Sequence, residues 1–139
     1  MKLPRNNSRL TEIFKNAGVP DIDKFKGQYF VDMLTVLPSL KKLSHRKVFF
    51  NENNLVQGYN ILLNNRIWGH FFLEHGTCED VDSVDAIVIN YARRENLFSF
   101  RMKDYVRCVE DETLYLGRFN YLLFGKPRFL GYFTLSRVP

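Results

Sequence analysis

The stretch Val56-Gln57-Gly58-Tyr59-Asn60-Ile61-Leu62, the turn formers Asn64-Asn65, and then Arg66-Ile67-Trp68-Gly69-His70-Phe71-Phe72-Leu73 decide the fold class. Large apolar side chains recur here at every second position on both sides of a turn, the pattern of two half-buried strands joined as a hairpin. A two-residue turn at Asn64-Asn65 sets Leu62 opposite Ile67 and Asn60 opposite Gly69. One face then carries Val56, Gly58, Asn60, Leu62, Ile67, Gly69, Phe71 and Leu73, and is expected to point inward. The other carries Tyr59, Ile61, Trp68, His70 and Phe72. It is apolar enough to suggest contact with a second copy of the chain, a homodimer.

Outward from this hairpin the same period continues. Candidate strands are 27–36, 46–50, 55–63, 66–74, 85–92, 97–103, 105–110, 113–123 and 128–137. The links between them, Asn51 to Asn54, Arg93 to Asn96, Asp111-Glu112 and Gly125-Lys126-Pro127 among them, are short and rich in turn formers. No helix of useful length interrupts the run, which excludes a βαβ design. A meander with no helices to cover its edges is best satisfied by closing on itself. The expectation is a mainly β single domain over 1–139, an antiparallel up-and-down barrel of about eight to nine strands spanning 27–137. Ahead of it, Leu10, Ile13, Phe14 and Ala17 recur at helical spacing, with Ser8 as a cap and Gly18 as a left-handed stop before Pro20. That predicts a short amphipathic helix over 8–18, whose apolar stripe covers an open barrel end.

A later stretch echoes the first hairpin. Phe119-Asn120-Tyr121-Leu122-Leu123 and Arg128-Phe129-Leu130-Gly131-Tyr132-Phe133-Thr134-Leu135 match Tyr59 to Leu63 and Arg66 to Leu73 at seven of thirteen positions, if the second turn is two residues longer. By the same parity Asn120 faces Gly131, as Asn60 faces Gly69.

Composition agrees with this architecture. The chain has 139 residues, 45% hydrophobic, 25% charged and 15% aromatic, with 13 Phe and 7 Tyr, side chains that suit a pleated, half-buried surface. The net charge of +5 is spread along the chain, densest at Lys41, Lys42, His45, Arg46 and Lys47, while Glu79 to Asp85 is acidic. A nucleic-acid partner is not expected from so dispersed a charge. Cys78 and Cys108 are too few for a disulfide scaffold and lack CxxC spacing. Met1 to Lys15 has no apolar run of a signal peptide, and no run of about 18 apolar residues occurs. A reduced cytoplasmic protein with no membrane partner is therefore expected.

Gly27-Gln28-Tyr29, opening the first strand after a helical segment, resembles the Gly-x-Trp motif at the start of the lipocalin (calycin-type) barrel, with Tyr for Trp. It is also similar to the GXWXXXG opening of uncharacterised lipocalin-like bacterial proteins, with Met33 at the second glycine. The helix that follows the barrel in typical lipocalins has no counterpart in the sequence pattern. The resemblance implies a calycin barrel that holds a small ligand.

Such a barrel is just wide enough to fill with side chains or to hold one small molecule. If Asp111-Glu112 is a two-residue turn, Leu116 faces Arg107 and Arg118 faces Tyr105, so that Tyr105, Arg107, Arg118 and Asn120 share one side. Turned inward, they suit an apolar or amphipathic carboxylate, because arginine forks match carboxylates. Turned outward, the arginines are surface charges, with Asp104 available to pair one of them. Asn60 and Trp68 are further candidates for ligand contact. His45, His70 and His75 lack metal-ligand spacing, no nucleophile elbow occurs, and neither a catalytic residue nor a cofactor is implied. A binding role is expected. The alternatives are a small barrel decarboxylase or isomerase using Asp32 or Asp104 for proton transfer, and a filled barrel that acts as a protein-interaction module.

Overall fold

The structure, a computed structural model, describes residues 2–39, 44–96, 101–110 and 113–139. Eight antiparallel strands close into a barrel in simple chain order. They are β1 (Gly27–Met33), β2 (Arg46–Glu52), β3 (Leu55–Ile61), β4 (Ile67–Cys78), β5 (Val84–Asn90), β6 (Met102–Glu110), β7 (Leu114–Leu123) and β8 (Lys126–Arg137). Closure comes from β1 against β8, Tyr29 opposite Arg137 through Met33 opposite Phe133, so no strand edge is left over. The expected break between 103 and 105 does not occur, because β6 runs unbroken through Asp104. Residues 97–100 of the expected 97–103 strand, the Asp111-Glu112 turn, and Lys41 and Lys42 of the basic stretch lie outside the described residues.

Alternation places the connections β1–β2, β3–β4, β5–β6 and β7–β8 at one end, here the mouth, and the other connections at the base. The base is sealed by Phe25, which follows a 3-10 turn over Ile22–Lys24. Its ring stacks on Tyr115 at 4.6 Å and meets Phe49 at 5.2 Å. Tyr29, Phe49, Phe71 and Tyr115 continue this aromatic filling, all of them essentially inaccessible. The high aromatic content thus goes into the barrel as packing.

The N-terminal helix α1 (Asn7–Asn16) sits elsewhere than expected. Leu10 and Phe14 pack with Leu34, Val81, Leu116 and Tyr132 in a second apolar cluster, outside the barrel wall. Its cap is Asn6, whose side-chain oxygen accepts from the Arg9 amide at 3.1 Å, rather than Ser8. Gly18 is not a left-handed stop: Ala17 ends the helix in extended conformation, and Gly18 forms a two-bond bridge with Cys108.

Both hairpins depart from the expected register. The β3–β4 loop closes through Leu62 N–H to Arg66 O at 2.8 Å and holds Asn65 at φ 66°, which makes it one residue longer than a two-residue turn. Ile61 therefore faces Ile67, and Asn60 faces Trp68. A bulge at Gly69, φ 62°, absorbs the extra residue, after which Gly58 faces Phe71 as the simple register requires. The bulge brings Trp68 against the interior core, while Ile67 becomes solvent-exposed. The expected dimer face thus loses its largest member and keeps Tyr59, Ile61 and Phe72, each half-buried. The β7–β8 turn is two residues shorter than expected, Phe124-Gly125, and a second bulge sets Asn120 opposite Phe129 rather than Gly131. What survives of the echo is a packing pair: Gly58 leaves room for the Phe71 ring and Gly117 for the Phe133 ring.

Candidate functional site

Alternation on β2 turns Phe49 into the barrel, and with it Lys47, two residues earlier on the same face. On β6 the inward residues are Met102, Asp104 and Val106. On β3 Asn60 follows Val56 and Gly58 inward. Tyr91, just past the end of β5, closes the group. Four polar side chains, from β2, β3, the end of β5 and β6, therefore meet in the mouth half of the barrel, all of them buried.

Their contacts form one network. Lys47 Nζ donates to Asn60 Oδ1 at 2.6 Å and to Tyr91 OH at 2.7 Å, and lies 3.7 Å from Asp104 Oδ2. Asn60 Nδ2 donates to Gly69 O at 3.0 Å and to Tyr91 OH at 3.1 Å. Ser44 Oγ donates to Asn60 Oδ1 at 2.7 Å, and Tyr91 OH reaches Asp104 Oδ2 at 3.5 Å. The Gly69 bulge is what makes this possible. A Cβ there would stand 2.9 Å from Asn60 Nδ2, so the close backbone approach needs glycine for space as well as for its positive φ.

The electrostatics are strained in both partners. Burial lowers the Lys47 ammonium below the ordinary lysine range, against the counter-pull of Asp104. Burial pushes the Asp104 carboxyl up to about 6, although Lys47 and Tyr91 act to lower it. The Tyr91 hydroxyl is raised well above its usual value, mainly by burial and then by the Asp104 charge. Rings of Phe71, Tyr91 and Phe133 stand 5.4–5.6 Å from the ammonium and replace part of its lost hydration. One acceptor is left over: Asp104 Oδ1 is buried and has no hydrogen-bond partner. It adjoins a void of about 10 Å³ lined also by Met33, Trp68, Met102, Phe119 and Phe133. That is room for one water and no more.

The residues named from the sequence divide between two faces. Asn60 and Trp68 lie inside, at this site. Tyr105, Arg107, Arg118 and Asn120 do share a side, with Arg107 opposite Leu116 and Tyr105 opposite Arg118, but it is the outer one. Both arginines there have structural work. Arg107 donates to the Phe14, Lys15 and Ala17 carbonyls at the end of α1, and also to Asp85 O. A cation on the unsatisfied last carbonyls of a helix is the favoured arrangement. Arg118 pairs with Asp80 at 2.9 Å, donates to Tyr132 OH at 2.7 Å and stacks on Phe129 at 3.8 Å. Burial acts to raise the Asp80 carboxyl, but hydrogen bonds from Cys78 and Arg118 outweigh it and hold the carboxyl below its usual value. The partners that the arginines demand are therefore the protein's own, backbone carbonyls for Arg107 and the Asp80 carboxylate for Arg118. Asn120 is buried on this outer side with neither end of its amide bonded. Asp32 is exposed and pairs with Arg5 at 3.5 Å.

The sequence pattern does not single out Lys47 or Tyr91, and it offers Asp104 only as an acid for proton transfer or as a partner for one of the arginines. A signal existed. Lys47 shares its stripe with Phe49, and Asp104 stands between Met102 and Val106, so both charges interrupt an apolar face.

No family model and no curated protein matches the chain. A solved structure does. The crystal structure of a protein from Thermomonospora curvata aligns with a TM-score of 0.68 over 96% of this chain and 88% of that one, at 15% sequence identity. At that identity the likeness shows a shared fold and nothing of its use.

Proposed function

We propose that this is a lipocalin-like barrel that binds a small apolar or amphipathic carboxylate, with Lys47 and Asp104 as its polar anchor. The observation that carries the reading is the buried Lys47–Asp104 pair with Asp104 Oδ1 left unpartnered beside the void. A packed barrel gains nothing from such a pair, since an apolar pair of similar volume is commonly as stable or more so. Perturbed charges in an enclosed site are instead what a binding or reaction site contains. With Asp104 protonated, its hydroxyl and the Lys47 ammonium make two donors for an entering carboxylate. With Asp104 ionised, the lysine is already compensated and the site rejects an anion. Met33 and Met102 border the void at the mouth ends of β1 and β6. Both are unbranched, adaptable side chains, suited to yielding space to an apolar tail.

A second reading, the filled barrel acting as an interaction module, is favoured by the volume itself, since about 10 Å³ is far below a usual ligand pocket. Native mass spectrometry of freshly purified protein separates the two. The binding reading expects a mass excess that vanishes on denaturation, is lost in Lys47→Met and is kept in Arg118→Ala. An apo mass in the wild type, together with no uptake of added carboxylates, would leave the filled barrel.

A further inference from the structure

The four most exposed large hydrophobic side chains of the described chain are Phe124 at 90%, Leu63 at 77%, Leu37 at 62% and Ile67 at 55%. All four belong to the mouth: Leu37 to the β1–β2 connection, Leu63 and Ile67 to the β3–β4 hairpin, Phe124 to the tip of β7–β8. Phe124 is anomalous twice over. It holds φ 52° in a turn whose other central residue, Gly125, has φ 74°. Two positive φ angles in a two-residue hairpin are ordinarily met by Asn-Gly, and a bulky aromatic is a poor occupant. The fold receives neither burial nor backbone ease in return for this ring.

The mouth is also rich in cations. The mouth connections and their flanks carry Arg66, Arg93, Arg94, Arg101, Lys126 and Arg128, against Glu95, which pairs with Arg93 at 2.9 Å, and Asp32, which pairs with Arg5 at 3.5 Å. At the base the strand connections carry Glu52, Glu79, Asp80, Asp82, Asp85 and Glu110, but Lys24, Lys26 and Arg137 lie at the same end, and Asp82 and Asp80 are paired with Lys15 and Arg118. The base is thus of mixed charge, whereas the apolar rim is predominantly cationic.

We infer that the mouth docks on an anionic lipid bilayer, with Phe124 and Leu63 entering the interfacial region and the flanking arginines and lysine meeting lipid headgroups. Such a surface satisfies both features at once. A second copy meeting mouth to mouth would set like charge against like. A nucleic acid would neutralise the cations but offer nothing to Leu63 and Ile67. Apolar tips flanked by cations are the surface-binding pattern for anionic membranes, with affinity set jointly by buried apolar area and by charge. This contact is distinct from crossing the bilayer, for which the described chain has no helix long and apolar enough. It also stands independently of the carboxylate reading.

The test is vesicle flotation with the whole protein, comparing phosphatidylcholine vesicles with vesicles containing about 30% phosphatidylserine. The wild type is expected to float with the anionic vesicles at low salt, to release at high salt, and to ignore the neutral ones. The double variant Phe124→Asn, Leu63→Asn is expected to bind about tenfold more weakly. Asparagine tolerates the positive φ at 124, so an unchanged melting temperature certifies the fold. Absence of flotation at low salt would overturn the inference, as would flotation unaffected by the double variant. A wild-type dimer in native mass spectrometry that the same variant dissolves would also overturn it and assign the tips to a second copy.

Discussion

Lys47 enters the barrel because it lies two residues from Phe49 on an inward stripe, and Asn60, Tyr91 and Asp104 receive its amino group there. Removing one partner of such a pair strands the other, at a cost of about 3–5 kcal/mol. That cost depends on pH, with a definite sign. The Asp104 carboxyl is at about 6 in the folded protein, above its ordinary value of 3.8. Its stabilising contribution is therefore complete below about pH 4 and is lost as pH rises through about 6. Lys47→Met is expected to destabilise strongly at pH 8, where Asp104 is left as a lone buried anion, and much less at pH 5, where it is neutral. Urea denaturation at the two pH values measures the difference. Equal losses at both would mean that Asp104 titrates as an ordinary surface carboxylate.

At the scale of elements, strand existence and pairing were legible in the sequence, and facing only in part: Val56, Asn60, Phe71 and Leu73 turn inward as expected, while the face of β6 and β7 is not fixed by the pattern. Period-two alternation gave the β6–β7 register correctly, Arg107 against Leu116 and Tyr105 against Arg118. Which of the two faces is the interior cannot be read from alternation when both carry large apolar residues. Here they do, because Leu116 and Tyr132 on the outer face are covered by Leu10 and Phe14 of α1. A helix packed on the wall gives β7 and β8 two buried faces, so Arg118 and Phe119 both have reason to look inward. Trp68 turned inward for a different reason, a one-residue difference in turn length that the Gly69 bulge absorbs, while Asn60 keeps its inward face and changes only its cross-strand partner. The same covering helix yields a prediction. Arg107→Ala removes a charged donor from the Phe14, Lys15 and Ala17 carbonyls and should lower stability by about 2–3 kcal/mol. Hydrogen exchange should show α1 amides opening well before those of β2 and β3; uniform loss of protection would show that the helix is integral to the barrel.

Taken whole, the molecule has a sealed aromatic base, a polar group in the upper interior and a cationic, apolar-tipped mouth above it. Its one tryptophan, Trp68, lines the void beside Asp104, which makes its emission a built-in reporter of the site. The most direct test of the interior as the functional centre is a titration of Trp68 fluorescence with a medium-chain fatty acid such as decanoate. It is run at about pH 5.5 and about pH 7.5, on either side of the Asp104 transition. A saturable change is predicted, about tenfold tighter at the lower pH because binding takes up the Asp104 proton. It should be abolished in Lys47→Met and retained in Arg118→Ala. No saturable change at either pH, or a change that survives loss of Lys47 and disappears with Arg118, would contradict the account.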